Sequence, residues 1–85
     1  MDLEKYHNFV AVSDDSPSLF KIQRHTIGIV EEVGKLCADL YTDPLPKKNM
    51  TKQLGSIIYR CAALSNVLGV TLEEVIEADK KRRKK

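Results

Sequence analysis

The apolar side chains of this chain recur every three or four residues in four separate runs, and nowhere alternate with period two over the length of a strand. The first run, Leu3, Tyr6, Phe9, Val10 and Val12, predicts a short amphipathic helix that the polar stretch "SDDSPS" stops. Ser16 then reads as an N-cap and Pro17 as a first helical residue, because proline's missing N–H would be unpaired there anyway. The second run predicts a long helix from Pro17 to Tyr41, with Leu19, Ile22, Thr26, Ile29, Val30, Val33, Leu36, Cys37 and Leu40 on one broad arc. Such a helix is about 40 Å long at 1.5 Å per residue, longer than a small globule needs for itself. Phe20 and Ile27 lie on its other side, which implies contact with more than one neighbour and makes a partner subunit the natural candidate.

The stretch "TDPLPKKN" predicts a loop, since two prolines two apart cannot sit inside a helix. A third helix is predicted from Asn49 or Met50, with Leu54, Ile57, Ile58, Cys61, Leu64 and Leu68 on its apolar face and Gly69 placed for a left-handed C-terminal cap. In "TLEE", Thr71 stands three before Glu74, a capping box that opens a fourth helix from Leu72 into the basic C-terminal run. The expected fold is all-α: four helices, one domain over residues 1–79, a basic tail over 80–85, and no internal repeat.

Composition narrows the class. The chain has 85 residues, 42% hydrophobic and 31% charged, with three prolines, four glycines and no tryptophan, which suits a helical globular protein. A chain this short buries a modest share of its unfolded surface, so an oligomer is expected, a homodimer or a tetramer. No apolar run reaches the roughly 18 residues that a membrane span needs, and the acidic start "MDLEKYHNF" has no signal-peptide core; the expected location is the cytoplasm. Cys37 and Cys61 fall on apolar positions without CxxC spacing and read as buried free thiols. His7 and His25 have no second ligand three or four residues away, and read as isolated rather than metal-binding. The net charge of +2 divides unevenly: Lys80 to Lys85 carries six positive charges, so the rest sums to about −4. That tail could attract nucleic acid through a sequence-independent, salt-sensitive term, but no aromatics are interleaved to stack bases.

Two polar stripes border the apolar arcs. On the second helix Gly28, Glu32, Lys35 and Asp39 fall within roughly 60° of each other at 100° per residue, with His25 and Lys21 continuing the line. On the third, Gln53, Ser56 and Arg60 form a matching stripe. Packed antiparallel through their apolar arcs, the two helices would bring these stripes face to face at the edge of the core. The simpler account is a set of boundary residues, with Lys35 paired to Glu31 or Asp39 at a few tenths of a kcal/mol.

The strings "YHNFV", "IGIVEEVGKL", "QLGSIIYRCAALSNVLGVTLEEV" and "EADKKRR", taken in order, cover nearly the whole chain. Together they resemble the MazG-like family of all-α nucleoside triphosphate pyrophosphohydrolases. In that family an E-x-x-E motif on one helix and an E-x-x-D motif on the next hold Mg²⁺ against a triphosphate, and magnesium requires hard, anionic oxygen ligands. The corresponding positions here are Glu32, Lys35, Gln53 and Ser56, so one carboxylate of four survives. Asp79 stands at the family's phosphate-binding asparagine, followed three residues later by Arg82.

The resemblance therefore implies a MazG-like bundle without the family's catalysis, in which Lys35 pairs with Glu32, Glu31 or Asp39 where a cation would sit. No metal cofactor is expected, and weak nucleotide binding or helical oligomerisation is what such a chain would retain. Two alternatives remain: a Mg²⁺-dependent enzyme cleaving a (d)NTP to monophosphate and pyrophosphate, with Glu31, Asp39 and Asp43 as displaced carboxylates, and a helical scaffold that presents Lys80 to Lys85 to nucleic acid.

Overall fold

A computed structural model describes residues 1–15 and 17–84 as four α-helices, α1 Leu3–Ser13, α2 Lys21–Asp39, α3 Lys47–Leu68 and α4 Leu72–Arg83, with no strand among the described residues. The expected cap at Ser16 lies outside those residues. Asp2 caps α1 instead of a serine or threonine: its carboxylate accepts from the backbone N–H groups of Glu4 at 2.9 Å and Lys5 at 3.3 Å. Gly69 closes α3 in the left-handed region at φ 73°, where a side chain would be strained. The capping box of α4 forms as expected, Thr71 Oγ1 accepting from Glu74 N–H and the Glu74 carboxylate accepting from Thr71 N–H.

Helix boundaries depart from expectation at α2 and α3. Pro17 is not the first residue of α2: it is extended (ψ 130°), a 3-10 turn at Ser18–Phe20 follows, and α2 starts at Lys21. The linker is held back by Asp14, whose carboxylate bonds His25 one turn into α2, and a continuous helix from Pro17 would carry the chain away from that contact. At its other end α2 stops at Asp39 rather than Tyr41 and frays into turn hydrogen bonds from Tyr41 and Thr42. α3 begins two residues early, at Lys47, because its first turn is polar and exposed and leaves no trace in the apolar period.

The hydrophobic core is small and lies at one end. Val10 of α1, Ala62 and Ala63 of α3 and Leu72 of α4 are the buried apolar residues, with Leu3, Tyr6 and Tyr59 packed against them. The alanines let α1 approach α3 closely. A polar clasp flanks the contact: Asn66 Nδ2 donates to the His7 carbonyl at 3.2 Å, Ser65 Oγ meets His7 Nδ1 at 3.4 Å, and Ser13 Oγ meets the Tyr59 hydroxyl at 3.1 Å.

α2 packs on α3 alone among the helices, and with the wrong face by the apolar pattern. The buried residues of α2 are His25 and Gly28, both on the polar stripe, whereas Leu19, Ile22, Val30, Val33 and Leu40 of the apolar arc are exposed, Val30 at 67%. The expectation that the arcs pack together with the stripes at the edge is thus corrected: the stripe of α2 turns inward, and most of its arc turns to solvent. Leu54 and Ile58 of α3 are also half exposed, Cys37 is exposed, and Cys61 is half-buried with its thiol pushed up by burial, so the cysteines are free without being fully buried.

The result is an open, flat molecule of 41 × 39 × 24 Å with a radius of gyration of 14.4 Å, against about 12 Å for a compact chain of this length. Its accessible surface is 6696 Å² where about 5,100 Å² is usual for this mass. No single described helix is long and apolar enough to cross a membrane.

Candidate functional site

Antiparallel packing sets the two stripes in register. Gly28 of α2 lies under Arg60 of α3, so closely that a Cβ at Gly28 would stand 2.5 Å from the guanidinium carbon. One turn further along α2, Glu32 lines the same cleft as Ser56, one turn back along α3. The same register sets Lys35 level with Gln53. The stripes therefore do oppose each other, across the helix interface rather than beside it.

Of the four positions that the family resemblance singles out, Glu32 and Ser56 line the cleft and Lys35 and Gln53 do not. Lys35 reaches back along its own helix, Nζ to Glu32 Oε1 at 3.6 Å, an i,i+3 pair in which Lys35 is 60% and Glu32 16% exposed. Gln53 Oε1 and, further along α2, Asp39 Oδ2 are buried and have no hydrogen-bond partner among the described residues. Glu31 is exposed, and among the described residues it has no cation within salt-bridge distance. Among the described residues no three of His, Cys, Asp and Glu converge. One carboxylate, an ammonium, an amide and a hydroxyl do not make the anionic oxygen set that Mg²⁺ requires, so the residues present do not fit that ion.

What the cleft contains instead is a relay that the sequence reading did not assemble. His25 is 1% exposed. Its Nδ1 stands 3.2 Å from Arg60 Nη1 and its Nε2 3.0 Å from Asp14 Oδ2. Arginine can only donate, so Nδ1 accepts; Nε2 then carries the proton and donates to Asp14, which fixes the neutral tautomer. Lys21 Nζ lies 3.7 Å from the same Asp14 oxygen. Around this relay a cavity of about 270 Å³ is lined by acidic Asp14, Asp15 and Glu32, basic Arg24, His25 and Arg60, and the hydroxyl residues Ser56 and Tyr59. With both ring nitrogens occupied, His25 positions its neighbours and has no lone pair free to act as a general base.

His25 and Arg60 lay on the stripes, but nothing in helical spacing could join them to Asp14, a residue of the linker. The available signal was Gly28: a glycine in mid-helix on a polar stripe marks a place where another group approaches the backbone.

At the far end of α4, Asp79 accepts from Arg82 Nη2 and Arg83 Nε, both at 2.7 Å, and these hydrogen bonds, Arg83 first and Arg82 second, hold its carboxyl below the ordinary 3.8. Arg82 is thus engaged within its own helix. Lys80 pairs with Glu77 at 3.4 Å, so part of the basic run is neutralised locally, and Lys85 lies outside the described residues. Comparisons with protein-family models, with curated proteins and with solved structures find no match for this chain.

Proposed function

We propose that this chain is a catalytically silent relative of the MazG-like nucleoside triphosphate pyrophosphohydrolases, a helical protein that pairs with a second copy of itself and keeps the cleft between α2 and α3 as a binding site without a metal. The observation that carries the loss of catalysis is the 3.6 Å approach of Lys35 Nζ to Glu32 Oε1. The chain supplies its own cation to the one carboxylate left in the motif, and the opposing Gln53 and Ser56 bring oxygens without charge. The imidazole of His25 is committed on both sides and is not a free base for Ser56.

Self-pairing is supported by area. The surface exceeds that of a compact chain by about 1,600 Å², roughly twice what one partner buries in a standard interface of about 800 Å² a side. The exposed arc Ile22, Val30, Val33 and Leu40 is the apolar surface that α2 presents. A second copy covers it with an arc of the same length and character, as two-fold symmetry requires.

The reading is tested by Mg²⁺ titration calorimetry and by pyrophosphate release over the common NTPs and dNTPs. The expected result is no Mg²⁺ binding at millimolar concentration and background turnover; Mg²⁺-dependent release returns the protein to the active enzymes. As a constructive test, Lys35→Glu, Gln53→Glu and Ser56→Asp together are expected to create divalent-ion binding, because the register sets Ser56 against Glu32 and Gln53 level with Lys35.

A further inference from the structure

The charges around the cleft do not cancel. Asp14 is held by His25 and Lys21, and Glu32 by Lys35. Among the described residues Arg24 and Arg60 have no carboxylate within 4.0 Å, and the one cleft acid without a cation at that distance is the exposed Asp15. Arg60 is half-buried, and among the described residues its Nη1 meets a ring nitrogen of His25 and no carboxylate. A half-buried guanidinium with no carboxylate beside it among the described residues is an uncompensated charge that binding an anion relieves. It is also held in place: Asp14 fixes His25, His25 fixes Nη1, and Gly28 leaves the fork room to lie against α2.

We propose that this cleft binds a phosphate-type oxyanion directly, with no divalent ion between, Arg60 as the principal ligand, Arg24 as the second, and Ser56 Oγ as a hydroxyl donor. The planar fork of arginine matches two oxygens of a tetrahedral anion. The cavity, of about 270 Å³, has room for phosphate or a monophosphate head. The inference deepens the reading of the cleft as a metal-free site and rests on it only there; catalysis and self-pairing are independent of it.

The experiment is calorimetric titration of the full chain with inorganic phosphate and, separately, AMP, in chelator at matched ionic strength, on the native protein and four variants. Binding of either probe is expected; AMP alone identifies a phosphate ester as the ligand, and inorganic phosphate alone a free oxyanion. Arg60→Met is expected to abolish binding and Arg24→Ala to weaken it. Gly28→Ala separates the site from the fold: its Cβ displaces the guanidinium while alanine favours the helix, so binding is expected to fall about tenfold or more in a protein at least as helical. Gly34→Ala, with nothing within 4 Å of the added carbon, is the control and is expected to bind like the native chain. The proposal is overturned if neither probe binds, or if Gly28→Ala and Gly34→Ala bind alike. Absence of binding with and without Mg²⁺ removes this inference alone; binding that appears only with Mg²⁺ removes the metal-free reading as well.

Discussion

The two ends of α3 are covered in different ways. Its C-terminal half is closed by α1 and α4, where Val10, Ala62, Ala63 and Leu72 exclude water. From its middle toward its N-terminus α3 meets α2, with His25 and Gly28 against Arg60 and Glu32 across a cleft from Ser56, while most of the apolar arc of α2 stays exposed. The first end folds by burying apolar surface, about 25 cal/mol for each Å². The second is joined by a hydrogen-bonded polar seam, whose groups gain little over their contacts with water and cost much when one partner is removed. The proposed second copy is what would cover the exposed arc of α2 at that end.

The largest effect is expected where that cover would sit. Val30→Glu with Val33→Glu adds two charges per chain to the arc and removes about 1.5 kcal/mol or more of apolar burial per valine, so self-association is expected to weaken at least about 100-fold. Sedimentation equilibrium measures it, and a native chain that is monomeric at high concentration breaks the comparison. His25→Ala comes next. It leaves the 6%-exposed Asp14 carboxylate and the Arg60 fork without the group between them and is expected to cost about 3 kcal/mol in urea unfolding; a cost under about 1 kcal/mol would mean that the seam contributes nothing. Val10→Ala, in the apolar core, is expected to cost about 2 kcal/mol by the same measurement without changing the assembly state.

The smallest effect concerns α4. Asp79 has a depressed pKa, so its contribution is present above the ordinary carboxylate value of 3.8 and is lost as pH falls through its lower folded value. The amide shifts of Arg82 and Arg83 are expected to move toward coil values only below that ordinary value, and Asp79→Asn is expected to remove the transition. A titration of those amides centred above 3.8 contradicts the pairing.

The sequence by itself determined four helices and most of their ends. Apolar recurrence at three and four, the glycine at Gly69 and the Thr71–Glu74 box are local signals, and local hydrogen bonds and backbone preferences enforce them. It also held Glu32 and Lys35 as neighbours, because three residues on a helix is a distance that spacing sets. Only the tertiary structure decided which face of α2 turns inward. Arg60 settles on Gly28 and Asp14 reaches across the linker to His25, contacts between residues 32 and 11 apart that helical spacing does not record. Periodicity records how apolar a face is; it does not record what covers that face, and here most of the apolar arc of α2 stays exposed while its polar stripe meets α3.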